Sequence, residues 1–117
     1  MLPAHRRLTD ADGFRDAVRR GRRASSSTLV THVHSTASDV PARAGFVVSK
    51  AVGNSVVRHR VQRRLRHVMA PLLLEAAPGA VVVVRALPPA RDASSARLVA
   101  DLVRCLSTTG WLVPGAA

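Results

Sequence analysis

Residues 54–72 carry the pattern that most constrains the fold, because their apolar side chains recur every three or four positions. At about 100° per residue, these side chains fall in one narrow sector of a helix. They are Val57, Val61, Leu65, Val68 and Leu72. A helix with one apolar stripe must bury it, so this stripe is predicted to face a hydrophobic core. Pro71 should end or kink the helix near its last turn, and we predict a helix over residues 54–70.

The rest of the chain alternates strand and helix patterns. Strands are predicted at residues 28–34 and 80–86, which are rich in β-branched residues, and at residues 44–50, which are largely apolar. Further helices are predicted at residues 10–20 and 92–107. One more strand fits within residues 22–35, which gives the order α-β-β-β-α-β-α. Residues 44–50 are apolar on both faces and are predicted to form a central strand. The chain is thus predicted to be one α+β domain over residues 1–117, a compact α/β sandwich, with irregular segments at residues 1–8 and 108–117.

The ends of the first and last helices carry capping residues. Thr9 is predicted to cap the first helix, with Asp12 at its third position, and Gly21 to end it. Asp92 or Ser94 is predicted to cap the last helix.

The last helix is predicted to bury an apolar face. This face consists of Ala96, Val99, Ala100, Val103 and Leu106. Cys105 stands beside Leu106 and is predicted to be a buried structural thiol. It is the only cysteine, which excludes an internal disulfide and a zinc site built on several thiols.

The charge of the chain points to a polyanionic partner. The formal net charge is +11, and no acidic residue occurs between Lys50 and Ala70. Ordinary solvated helices mix acidic and basic residues, and like charges on one helix repel, so a bound anion is the favoured explanation. No apolar run is long enough to span a membrane and no secretory signal is visible, so a cytoplasmic protein without a membrane partner is predicted.

The pattern favours folded RNA over DNA, and binding over catalysis by the protein. The chain has no zinc-finger ligands, no basic zipper and no clear helix-turn-helix pair, so no DNA partner is predicted. It has one Glu and six Asp without a paired-carboxylate motif, and it lacks a phosphate-loop motif. His32 and His34 lie on one face of a strand without further ligands, so no metal and no cofactor are predicted on the protein.

Residues 50–66, KAVGNSVVRHRVQRRLR, resemble the signature of the bacterial ribonuclease P protein subunit. Residues 7–21, 43–50 and 80–86 are similar to its first helix, an early strand and a late strand. The resemblance implies a four-stranded sheet with a left-handed β-α-β crossover. It also implies a large catalytic RNA as partner, with which the protein removes the 5′ leader of precursor tRNA by phosphodiester hydrolysis. The active site and its Mg²⁺ ions would lie on the RNA, so no catalytic residue is expected on this chain.

The resemblance assigns two sets of contacts. The set expected to bind the catalytic RNA is Lys50, Asn54, Arg58, His59, Arg60, Arg63, Arg64 and Arg66. The set expected to line a cleft for the single-stranded leader is Phe14, Arg15, Val18, Arg19, His32 and Arg43. His59 replaces the usual Asn and Gln62 the usual Lys, while Val18 and His32 stand where many relatives carry aromatic residues. The cleft should therefore stack bases less strongly.

Two other functions stay open at this point. A ribosomal or ribosome-assembly protein would also need a cationic RNA-binding helix. A protein-only nuclease would need a carboxylate cluster for metal ions, which the sequence does not supply.

Overall fold

The computed structural model describes residues 6–36, 39–76 and 78–109. Its three helices are α1 (Ala11–Arg20), α2 (Ser55–Leu73) and α3 (Ser95–Thr108). Its four strands are β1 (Arg22–Ser25), β2 (Leu29–Ser35), β3 (Arg43–Val47) and β4 (Ala80–Ala86), and a short 3-10 helix spans Pro88–Arg91. The predicted α+β order is confirmed. Of the segments predicted to be irregular, residues 1–5 and 110–117 lie outside the described residues, and Thr108 belongs to α3.

The four strands form one sheet in the order β1-β2-β4-β3. β4 pairs antiparallel with β2 and parallel with β3, so α2 is the crossover of a β-α-β unit. The left-handed sense of this crossover stays a prediction. β3 is an edge strand, so its prediction as a central strand was wrong. It is nevertheless covered on both faces, because α1 packs on one face and α2 on the other.

Helices α2 and α3 pack on one face of the sheet and enclose the main core. Alternate residues of β2 and β4 point into it, among them Leu29, Val82 and Val84. The predicted apolar stripe of α2 is confirmed, since Val61, Leu65 and Val68 are buried and Val57 and Leu72 pack against the core. Met69 and Leu73 widen this stripe.

Helix α1 packs on the opposite face, here called the α1 face of the sheet. Ala17 lies against Val81 and Val83, together with Leu8, which precedes the helix. The backbone N–H of Leu8 donates to the carbonyl oxygen of Ala44 at 2.9 Å, which ties the start of the described chain to edge strand β3.

The predicted N-cap of α1 was wrong by one residue. Asp10, not Thr9, caps the helix by accepting a hydrogen bond from the backbone N–H of Gly13 at 2.8 Å. Gly21 ends α1 as predicted, and Ser94 is the residue that caps α3. Asp92 follows the 3-10 helix instead.

The predicted apolar face of α3 was wrong except at Leu106. The helix buries Leu98, Leu102, Cys105 and Leu106, whereas Val99 is 40% exposed. Ala96 and Ala100 are exposed as well. Leucine side chains remove more apolar area from water than alanines, so this orientation is the more stable one.

Asp101 explains why the sequence concealed the true face of α3, because it lies among the buried leucines. Its carboxylate accepts hydrogen bonds from the Thr28 hydroxyl at 2.6 Å and from Arg97 Nε at 3.1 Å. These bonds compensate for the burial of the charge.

Candidate nucleic-acid interface

The exposed side of α2 forms the first candidate surface, here called the basic helix face. Its residues line one open depression: Val56, His59, Arg60, Gln62, Arg63, Arg66 and His67. Arg60 and Arg63 are exposed, and neither side chain has an ion pair or hydrogen bond within the described residues. Uncompensated guanidinium groups on one face are suited to binding phosphate.

The first turn of α2 adds backbone donors to this surface. The side chain of Asn54 accepts a hydrogen bond from the backbone N–H of Val57 at 3.0 Å and thus caps the helix. The amides at a helix N-terminus carry positive partial charge, which favours an anion there. Lys50 is exposed in the turn that leads into the helix. The side-chain NH₂ group of Asn54 is free of the capping bond and can donate hydrogen bonds to RNA.

Two predicted RNA contacts on α2, Arg58 and Arg64, are partly buried against the protein. Arg64 Nη1 donates to the carbonyl oxygen of Ala93 at 2.8 Å and so links α2 to the segment before α3. Arg58 is half-buried, and its buried Nε has no hydrogen-bond partner within the described residues. The structure thus separates Arg60, Arg63 and Arg66, which line the basic helix face, from these two flanking arginines.

A second depression connects α2 to α1 across the edge of β3. It is lined by Phe14, Phe46, Val47, Val48, Ser55, Arg58, His59 and Gln62. Phe14 packs directly over Gly45, where an added Cβ atom would lie 2.4 Å from its Cζ atom. The aromatic ring predicted to line the cleft is therefore held beside the sheet and next to the first turns of α2.

The remaining predicted cleft residues are spread over both sides of α1. Val18 is 48% exposed and lies one helical turn after Phe14, on the same flank. Arg15 is exposed and pairs with Asp12 at 3.1 Å, whereas Arg19 is exposed without such a partner in the described chain. His32 lies on the α1 face, directly opposite Val83 in the sheet register.

Arg43 lies on the far side of Gly45 from Val47. It opposes Val81, whereas Val47 opposes Arg85 four residues further along the strands. The structure therefore does not bring Arg43 together with the residues that line the depression beside Phe14.

Two cationic residues of the α1 face were not among the predicted contacts. Arg85 is the one exposed residue of β4, and Arg23 of β1 opposes His32. The signal for Arg85 was present, since a single charge inside the apolar run AVVVVRA must point to solvent. Arg23 lacked a comparable signal, because it lies in a run of arginines. The sequence predicted a strand within residues 22–35 but did not fix its position.

The buried ionisable groups outside these surfaces have structural surroundings. Hydrogen bonds from the Thr28 hydroxyl and from Arg97 hold the pKa of Asp101 below its usual range. Burial raises the pKa of the Cys105 thiol, which opposes formation of a nucleophilic thiolate. Within the described ranges, no three His, Cys, Asp or Glu side chains lie close enough to hold a metal ion.

Comparison with known proteins identifies the family. The sequence profile named Ribonuclease P matches residues 2–110. This chain belongs to the ribonuclease P protein family. It is 53% identical over 117 residues to the ribonuclease P protein component of Nocardioides sp., covering 98% of this chain and 100% of that one. It is 46% identical over 112 residues to the component of Corynebacterium diphtheriae, covering 91% and 94%.

Solved structures of the family share the fold. The RNase P protein of Staphylococcus aureus superposes with a TM-score of 0.78 at 20% identity, covering 91% of this chain and 96% of that one. The protein from Thermotoga maritima gives a TM-score of 0.72 at 18% identity, covering 84% and 92%. As a family member, the chain is a component of an endoribonuclease. No helix in the described part of the chain has the length and apolar character needed to cross a membrane.

Proposed function

We propose that this chain is the protein subunit of a ribonuclease P whose catalytic centre lies on an RNA. The protein binds that RNA through the basic helix face and holds the 5′ leader of precursor tRNA against the α1 face. The observation that carries the proposal is the row of guanidinium groups at Arg60, Arg63 and Arg66, which have no ion pair among the described residues and lie next to a depression that leads to Phe14. A folded polyanion relieves the repulsion among these groups.

The protein contributes charge and position to the reaction, and the RNA contributes the hydrolytic step. Arginines of α2 neutralise backbone phosphates of the catalytic RNA, which lowers the Mg²⁺ concentration needed for its fold. Phe14 offers a face on which one leader base can stack. Mg²⁺ ions would be bound by oxygens of the RNA.

Reconstitution tests the proposal directly. The protein should stimulate leader removal by the catalytic RNA of its own host at low Mg²⁺ and show no activity alone. Activity of the protein without RNA would instead indicate a protein-only nuclease. Cosedimentation with ribosomal particles, without an effect on precursor tRNA, would indicate a ribosomal role.

The salt dependence of RNA binding tests the basic helix face. Arg60→Ala and Arg63→Ala should each flatten the slope of log affinity against log salt by an amount on the order of 0.7 to 0.9. Arg104→Ala, which removes an exposed charge from α3, is the matched control and should leave the slope unchanged. If the α2 variants lower folding stability but keep the wild-type slope, these arginines have a structural role and the proposed surface is wrong.

A further inference from the structure

Arg85 is an exposed arginine on an inner strand of the sheet. It is the exposed residue of a strand whose other residues are all buried, and β4 lies between β2 and β3. Its neighbours in the register are Val30 on β2 and Val47 on β3. Val47 also lines the depression beside Phe14. Arg85 therefore stands on the floor of the α1 face, beyond the part that Ala17 covers.

His32 lies on the strand between Arg85 and a second arginine. Arg23 on β1 is its direct partner in the register. On β4, His32 opposes Val83, and Arg85 lies two residues further along that strand on the same face. His32 is half-buried, and its buried Nδ1 atom has no hydrogen-bond partner within the described residues. Burial, and then the charges of Arg23 and Arg85, lower the pKa of His32 below its usual value, so the free protein holds a neutral imidazole between two cations.

The other charged groups near this site do not neutralise the two arginines. The side chains of Arg23 and Arg85 have no ion pair or hydrogen bond in the part of the chain that the structure describes. His34 follows on the same face of β2. Helix α1, which packs over this face, carries the exposed charged residues Asp12, Arg15, Asp16, Arg19 and Arg20, and β3 contributes Arg43.

We propose that Arg23 and Arg85 clamp one backbone phosphate of single-stranded RNA, and that His32 between them takes up a proton when the phosphate binds. This inference rests on the proposed function, because it assigns a new site within the surface proposed for the leader. A phosphodiester brings a negative charge beside an imidazole that two positive charges had kept neutral. It therefore favours the protonated ring, whose two N–H groups both donate hydrogen bonds.

The clamp predicts that RNA binding strengthens as pH falls. A bound phosphate raises the proton affinity of His32, so by linkage the protonated protein binds RNA more tightly. At pH values between the pKa of His32 in the free protein and its pKa in the RNA complex, binding should take up as much as one proton. Above that range the imidazole stays neutral in both states, and only the two arginines hold the phosphate.

The first test compares two eight-nucleotide single strands of the same sequence, one with phosphodiester and one with uncharged methylphosphonate linkages. Arg85→Gln should weaken binding of the phosphodiester strand about tenfold, as expected for a charge-assisted hydrogen bond, and leave binding of the methylphosphonate strand unchanged. Arg91→Gln is the matched control, since it removes an exposed arginine from the 3-10 helix. An equal loss for both strands would overturn the clamp, because Arg85 would then contact bases or support the fold.

The second test counts protons by calorimetry of the same binding reaction in two buffers of different ionisation enthalpy. The wild type should take up a proton fraction near pH 6, and His32→Asn should take up less. Uptake that persists in His32→Asn overturns the role of His32. Failure of the wild type to bind the strand also overturns the clamp, whereas leader removal by the reconstituted complex still tests the proposed function separately.

Discussion

Replacing Gly45 by alanine should displace the aromatic ring of the cleft without changing the backbone. The added Cβ atom would lie 2.4 Å from Phe14 Cζ and 2.6 Å from Cε1. Carbon atoms pack at about 3.5 to 4.0 Å, so the ring must move by about 1 Å or more. Gly45 does not have a positive φ, and alanine is therefore compatible with its conformation.

Two opposing effects determine how Gly45→Ala changes the free energy of unfolding. Overpacking costs about 1–3 kcal/mol, and the lower chain entropy of unfolded alanine returns about 0.4–1 kcal/mol. We therefore expect Gly45→Ala to lower the free energy of unfolding by about 1–2 kcal/mol, measured by urea denaturation. Loss of stacking by Phe14 should weaken binding of a single-stranded leader by about 1–3 kcal/mol, which is roughly 5- to 150-fold.

A double-mutant cycle isolates the contact. Fluorescence anisotropy with a labelled leader strand should show that Gly45→Ala costs little further affinity in a Phe14→Leu background. Gly79→Ala is the control for stability, because Gly79 has a φ of 84° and lies in the turn before β4. It should destabilise the fold by about 1–2 kcal/mol and leave leader affinity unchanged. If Gly45→Ala weakens leader binding equally with and without Phe14, the steric reasoning is refuted.

Three further predictions concern the ionisable groups of the fold. Asp101→Asn should lower the free energy of unfolding by about 2–3 kcal/mol in urea denaturation. It should also remove the loss of stability that the wild type shows below about pH 4. The reason is that Thr28 lowers the pKa of Asp101, so the stability that this carboxylate contributes disappears as pH falls through that pKa. His32 has a lowered pKa, so the wild type should lose stability as pH falls below about 6.5, and His32→Asn should lose less over the same range. Cys105, whose thiol is buried with a raised pKa, should react with a thiol reagent only at the rate of unfolding, and rapid labelling of the native protein would contradict this.

The sequence predicted those features of the fold that depend on periodicity over many residues. The apolar stripe of α2 was identified because its side chains repeat over about four turns, and AVVVVRA identified β4. The face of α3 was misassigned because two sets of apolar residues both fit helical spacing, and the buried set includes Asp101. The hydroxyl of Thr28, which is 73 positions away in the chain, helps to make burial of that carboxylate favourable.

The sequence predicted many of the residues of the candidate site, but it did not predict which of them lie together in the fold. Arginines on α2 and the aromatic at position 14 followed from motif and charge. That Arg64 turns onto the carbonyl of Ala93, whereas Arg60 and Arg63 stay in solvent, depends on how α2 is rotated against α3. The pairing of Arg23, His32 and Arg85 depends on strand register, which no local pattern determines.

The edge position of β3, which the sequence did not predict, allows the two proposed RNA surfaces to meet. β3 ends at Val47 and α2 begins at Ser55, so the connection stays at one border of the sheet. Phe14 from α1 can therefore share a depression with Arg58 from α2. Had β3 been central, another strand would separate the α1 face from the first turn of α2. We infer that a leader strand crossing the floor at Arg85 would leave the sheet beside Phe14 and the α2 N-terminus, where its negative charge is most favoured.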